Sequence, residues 1–127
     1  MYQASVPRIT NMLNNLGAIL DKAQAHVDIK KLDAAALTNA RLFPDMLAMH
    51  RQVHIATDTA KGVVARLAGV EIPAYEDNEV SFADLKARVE KTVAFIQSFS
   101  PEQIDGTEDK AIVTKRGDKE THYTGMQ

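Results

Sequence analysis

Two histidines spaced one helical turn apart are the residues of this chain best suited to binding a metal ion. His50 and His54 are four positions apart, and residues at that spacing lie on the same face of a helix. Their imidazoles could therefore approach one zinc or nickel ion from the same side. A complete site needs at least one further ligand, for which the sequence offers His26, His122 or a carboxylate on another element.

The same pair also has an ordinary structural interpretation. With Met46 at the centre of an apolar stripe, a rotation of 100° per residue places His50 about 40° and His54 about 80° from that centre. This predicts His50 at the edge of the core and His54 at the boundary with solvent, beside Asp58 one turn later. We favour this interpretation, because a single histidine pair at this spacing is a weakly specific signal.

Other polar residues of the same segment do not define a reaction. Arg51, Asp58 and Lys61 fall on one flank, where they could orient a ligand carboxylate or phosphate. Their spacing is more typical of a solvated helix face, on which each charge pair contributes about a few tenths of a kcal/mol. The sequence contains no P-loop, no G-x-G-x-x-G, no H-E-x-x-H and no G-x-S-x-G motif. Whether the protein is an enzyme therefore stays open.

Composition limits the classes of protein to which the chain can belong. Its 127 residues and 14.0 kDa predict a single domain. A net charge of −2 argues against a nucleic-acid-binding or anionic-membrane surface. The absence of cysteine excludes disulfides, thiolate metal sites and cysteine nucleophiles. With no apolar run of about 18 residues and no signal peptide pattern, we expect a cytoplasmic protein without a membrane anchor.

A long central helix is the element that must position the histidines. Pro44 and Asp45 are typical of a first helical turn, while Gly69 and Pro73 are typical of a helix end. The predicted helix runs from Asp45 to Ala68, and its apolar stripe comprises Met46, Met49, Val53, Ala60, Val64 and Leu67.

Two further helices flank the central one. The first is predicted from an N-cap at Ser5 to about His26, with an apolar stripe of Ile9, Met12, Leu13, Leu16, Ile19, Leu20 and Ala23. The last begins with a capping box at Ser81 and Asp84 and ends at Ser100-Pro101. Its buried stripe comprises Phe82, Leu85, Val89, Val93, Ile96 and Phe99, and we assign Arg88, Glu90 and Lys91 to its solvated face.

Shorter elements complete the prediction. A helical turn is expected at residues 33–37, and an acidic, turn-prone run follows Pro73. Near the C-terminus, two β-prone segments flank a turn at residues 116–119, which predicts a short β-hairpin. The fold class is therefore all-α, an up-and-down bundle of three main helices, with one hairpin at the end of a single domain covering residues 1–127.

Several short motifs resemble a known bacterial family. They are Arg41-Leu42, Pro44-Asp45-Met46, Arg51-Gln52-Val53, Ala60-Lys61-Gly62, Arg66-Leu67-Ala68-Gly69, Phe82-Ala83-Asp84-Leu85, Ile96, the bend at residues 99–104, and the hairpin with Tyr123-Thr124-Gly125. Together they resemble the domain of unknown function family nineteen ninety-three, which is grouped with the DinB/YfiT-like helical bundles. The resemblance covers most of the chain.

The resemblance implies a four-helix bundle without an assigned activity. Some members of the wider superfamily bind a divalent metal through histidines of the second and last helices, and some act as thiol-dependent transferases or metal-dependent hydrolases. The family pattern has small or amide side chains where this chain has His50 and His54. Members also continue into a last helix that this sequence lacks, so the resemblance implies an apolar groove on the open side.

Three functions follow as alternatives. The first is a cytoplasmic DinB/YfiT-like bundle of unassigned activity, without a cofactor. The second is a zinc- or nickel-dependent transferase or hydrolase that uses His50 and His54. The third is a structural or dimerising module. An open apolar groove exposes more apolar surface than a soluble monomer usually tolerates, so either a second copy fills it across a two-fold axis or the chain is a fragment of marginal stability. We expect the homodimer, because the three helix stripes are otherwise complete and well capped.

Overall fold

Three helices and a β-hairpin make up most of the chain. The structure is a computed structural model that describes residues 1–127, apart from the side chain of Arg116. Its elements are α1 Tyr2–Lys30, α2 Ala34–Thr38, α3 Met49–Ala68, α4 Phe82–Gln97, α5 Pro101–Ile104, β1 Ala111–Arg116 and β2 Lys119–Thr124. The predicted fold class, a helical bundle with one hairpin near the C-terminus, is confirmed.

Helix α4 lies at the centre of the packing. It contacts both α1 and α3 extensively, whereas α1 and α3 contact each other little. Six side chains of the predicted stripes on α3 and α4 lie in the core: Val53, Ala60, Val64, Leu85, Val89 and Ile96. On the stripe predicted for α1, Leu13 and Leu20 are buried, whereas Met12 and Ile19 are exposed. Glu90, Lys91 and Lys119 are exposed, as predicted. Because α1 and α3 both pack against α4 and only slightly against each other, one side of the bundle stays open between them.

The predicted start of the central helix is wrong by four residues. The chain makes a turn at Phe43–Met46, closed by a 3.0 Å hydrogen bond from the Met46 N–H to the Phe43 carbonyl. Proline is favoured at the second position of such a turn, so Pro44 serves a turn rather than a helix start. Helix α3 begins at Met49, after the extended residue Ala48, and Met46 is exposed.

The predicted boundaries of the first helix are also wrong. Ser5 lies inside α1, which begins at Tyr2, and is not its N-cap. Its buried hydroxyl donates to the Met1 carbonyl at 3.0 Å. This contact satisfies the hydroxyl within the helix itself. Helix α1 continues beyond His26 to Lys30 and ends at Lys31, which adopts a left-handed conformation with φ 53°.

The predicted end of α4 at Ser100-Pro101 is wrong, because α4 ends at Gln97 with Ser98 as its C-cap, and Pro101 begins α5. The other helix ends follow their local sequence signals. Asp33 caps α2 through the Ala35 N–H, and Ser81 caps α4 through the Asp84 N–H. Gly69 ends α3 with φ 75°. The hairpin pairs Ala111 with Thr124 and Arg116 with Lys119, in antiparallel register across a two-residue turn. Of the helices in the described chain, none is long and apolar enough to cross a membrane.

Candidate functional site

The two histidines exchange the environments predicted for them. His54 is 1 % exposed and belongs to the interior, whereas His50 is only half-buried. The prediction placed His50 deeper because it centred the apolar stripe on Met46, which is not part of the helix. The two rings nevertheless meet edge to face, with centroids 5.7 Å apart.

His54 contacts the loop between α3 and α4 rather than Asp58, so the predicted partner is wrong. Its Nε2 lies 3.1 Å from the Glu79 carbonyl oxygen and 3.2 Å from Glu79 Oε2. Its Nδ1 lies 3.4 Å from Arg51 Nη1. Because a guanidinium only donates, Nδ1 of a neutral ring accepts from Arg51 and Nε2 carries the proton toward Glu79. Both nitrogens of His54 are then engaged within the protein.

The described residues group no third metal ligand with this pair. His50 directs Nδ1 to the Thr38 carbonyl at 3.0 Å, which leaves only its Nε2 for another partner. Among the described residues, no three histidine, aspartate or glutamate side chains are grouped so that they could hold a metal ion. A metal ligand set involving His50 and His54 therefore stays a prediction, and no step of a reaction is derived from it.

Arg88, which was predicted to lie on a solvated face, is instead the centre of a buried ionic cluster. Its side chain is 1 % exposed. Nη2 donates to Asp58 Oδ1 at 2.8 Å and lies 3.1 Å from Asp77 Oδ1. Nη1 donates to Glu79 Oε2 at 3.0 Å, and Nε donates to Thr57 Oγ1 at 2.7 Å. The sequence signal was available, because Arg88 falls between Leu85 and Val89 of the buried stripe.

A second cation extends the cluster along α3. Lys61 is 5 % exposed, and its Nζ lies 2.8 Å from Asp58 Oδ1 and 3.6 Å from the centroid of the Tyr75 ring. Lys91 Nζ lies 4.3 Å from the same centroid. Such cation–π contacts are favourable when the cation is partly removed from water. The cluster thus holds the loop at residues 70–80 against α3 and α4, which is a structural role.

The charges of this cluster also affect the acidity of one loop residue. Burial raises the pKa of the Asp77 carboxyl, but the nearby positive charges, that of Arg88 first, together lower it by more. The net result is a pKa below the ordinary value of 3.8. Asp77 therefore stays ionised at neutral pH and acts as a hydrogen-bond acceptor rather than as an acid.

An apolar groove lies between α1 and α3, apart from the ionic cluster. Its volume is about 550 Å³. On α1 it is lined by Ile9, Met12, Leu16 and Ile19, and on α3 by Ala56, Thr59, Ala60 and Val63. Met12 is 67 % and Ile19 55 % exposed. This groove lies on the open side of the bundle and offers a surface for a helix rather than a set of catalytic groups.

Comparisons with known proteins agree with this architecture. A crystal structure of a DinB family member from Shewanella denitrificans superimposes with a TM-score of 0.89 and 36% sequence identity, covering 98% of this chain and 71% of that one. The fold is therefore that of a DinB-like helical bundle. The family model named Domain of unknown function (DUF1993) matches residues 1–127, and the chain belongs to that family. A comparison with curated proteins finds no match.

Proposed function

We propose that this protein is a cytoplasmic DinB-like bundle that functions as a homodimer, with the α1–α3 groove as its interface. The observation that carries the proposal is an apolar row on α1 at the edge of the core, in which Ile9 and Leu16 pack partly against the core while Met12 and Ile19 are exposed. Ile9, Met12, Leu16 and Ile19 follow one another at intervals of three, four and three residues. This is the spacing at which helices pack through knobs into holes.

The opposite wall of the groove has a matching shape. Ala56, Thr59 and Val63 recur on α3 at intervals of three and four residues, and the first two are small. Small side chains facing large ones leave room for another helix to insert. The groove is therefore apolar and also has a shape that suits the packing of another helix.

The spacing on α1 favours a second copy of this chain as the occupant. Intervals of three, four and three read the same in both directions, so an antiparallel α1 places apolar side chains opposite each other. Ile9 then faces Ile19 of the second copy, and Met12 faces Leu16. The intervening positions Asn11, Asn15 and Ala18 are uncharged, so a two-fold axis brings no like charges together at the centre. Self-complementarity of this kind is what an isologous dimer requires.

Charge substitutions within the groove test the proposal. In a Met12→Glu/Ile19→Glu variant, we expect the dimer to dissociate, because each two-fold contact would bury unpaired carboxylates. Ile29→Glu is the matched control, since Ile29 is 77 % exposed on the same helix but does not line the groove. Light scattering at equal concentration gives the mass of each variant. An unchanged mass in the double variant would reject this interface.

A further inference from the structure

A second cavity lies at the end of the bundle that carries the hairpin. Its volume is about 380 Å³, within the range of small-molecule sites. The start of α1, the end of α3 and both hairpin strands contribute to its walls. Apolar side chains dominate the lining, among them Val63, Leu67, Ile112 and Met126. The cavity is thus built from three parts of the chain that are distant in sequence.

One cation faces this apolar lining. Arg66 borders the cavity from the last turn of α3. Among the side chains that the structure describes, no carboxylate oxygen lies within 4.0 Å of its guanidinium, in contrast to Arg51 and Arg88. A cation that is partly removed from water without a counter-charge favours an anion at that place.

Gly62 provides the space that the Arg66 guanidinium occupies. A Cβ atom at Gly62 would lie 2.6 Å from Arg66 Nη1, and its three nearest side-chain neighbours are all atoms of that guanidinium. The arginine therefore folds back along α3 over the glycine. A glycine inside a helix destabilises it by about 1 kcal/mol relative to alanine. Here the glycine stands at the position that determines where the guanidinium lies.

The walls of the cavity are fixed by contacts outside it. Lys110 Nζ donates to the Leu67 carbonyl at 2.8 Å, which ties the hairpin to the end of α3. The Met126 N–H donates to the Glu108 carbonyl at 2.9 Å. At Gly125, a side chain would collide with the Thr107 carbonyl oxygen, only 1.8 Å from the Cβ position. The recess is therefore held open by the fold before any ligand binds.

We propose that this cavity binds a small monocarboxylate with an unbranched apolar tail. The carboxylate pairs with Arg66, and the tail lies among Val63, Leu67, Ile112 and Met126. A bidentate guanidinium–carboxylate pair supplies orientation, while the apolar lining supplies most of the affinity through burial. The site shares Val63 with the groove of the proposed dimer, but Arg66, Leu67, Ile112 and Met126 do not line that groove. The proposal therefore does not require that the chain dimerise.

Calorimetric titration with octanoate tests the site, with octan-1-ol as the neutral analogue. We expect saturable binding of octanoate that weakens about tenfold or more in Arg66→Met, because a hydrogen-bonded charge is lost. Octan-1-ol should bind the parent and Arg66→Met alike. Arg41→Met is the matched control, since Arg41 is exposed, does not line the cavity and donates from Nη1 to the Pro44 carbonyl at 3.2 Å.

Gly62→Ala separates loss of binding from loss of folding. The added methyl group displaces the guanidinium, so octanoate should bind more weakly, while the melting temperature should stay the same or rise. Equal octanoate affinity in the parent and Arg66→Met would overturn the proposal. The absence of saturable binding to the parent up to about 10 mM would overturn it too, as would an unchanged affinity in Gly62→Ala.

Discussion

Arg88 Nη2 on α4 lies 2.8 Å from Asp58 Oδ1 on α3, and this contact joins the two helices beneath the loop at residues 70–80. The guanidinium also contacts Asp77 and Glu79 of that loop. A single buried cation therefore connects two helices and the segment between them. The cluster stabilises the fold next to His54 and explains why that histidine is buried.

Replacing Arg88 should destabilise the protein strongly. In Arg88→Met, the apolar stem is kept but three carboxylates lose their common partner. We expect the free energy of unfolding to fall by about 2–4 kcal/mol, less than for a fully buried pair, because Asp58 and Asp77 are 43% and 37% exposed. Urea titration at neutral pH measures the change.

Lys86→Met is the control for loss of charge alone. Lys86 Nζ lies 2.7 Å from Asp21 Oδ1, but this pair is at the surface. We expect this variant to unfold at nearly the same urea concentration as the parent, because exposed ion pairs contribute little. If Arg88→Met were as stable as Lys86→Met, the cluster would not be what holds the loop.

Acid should weaken the protein through Asp77. Its pKa is lower in the folded chain than the ordinary 3.8, so the folded state favours the ionised carboxylate. This contribution is complete above about pH 4 and is lost as the pH falls through the folded pKa. Asp77→Asn should be less stable than the parent at pH 7, and this difference should shrink toward pH 2. Urea titrations at both pH values test this, and an equal difference at the two would contradict it.

Regular elements could be predicted because local signals define them. Gly69, Asp33 and Ser81 each act at a helix end through their own backbone or side chain, and the hairpin follows from its two β-prone segments. Pro44 misled the prediction because a proline that suits a first helical turn equally suits the second position of a β-turn. Only the path of the neighbouring chain decides between them.

The ionic cluster could not be predicted in the same way. His54 is buried because Glu79 and Arg51 satisfy its ring nitrogens, and Glu79 reaches it across 25 residues of sequence. Helical periodicity describes which residues share a face, but it says nothing about which loop covers that face. The groove could be predicted more directly, because the family resemblance implied an open side of the bundle.

Leu85 should be among the most costly core residues to truncate. It is 0 % exposed and belongs to the main hydrophobic cluster. Leu85→Ala should lower the free energy of unfolding by about 2–5 kcal/mol, since it removes buried apolar volume and leaves a cavity. Val80→Ala, at a residue that is 57% exposed, serves as the control in the same urea titration. A loss below about 1 kcal/mol for Leu85→Ala would contradict the packing of α4.

Metal analysis separates a bundle without a functional metal site from the metal-dependent enzyme. The protein is purified without an affinity tag, incubated with zinc or nickel, and dialysed. We expect far less than one metal ion per chain, because both nitrogens of His54 already contact protein groups. Near-stoichiometric metal in the parent that is lost in His50→Ala/His54→Ala would instead support the transferase or hydrolase alternative.

The mass of the unmodified protein in solution tests the central claim most directly. Light scattering across a dilution series should give twice the 14.0 kDa of one chain at high concentration, and dilution should shift the mass toward one chain by mass action. A mass of one chain at every concentration, together with cooperative melting and no binding of a hydrophobic dye, would contradict the homodimer.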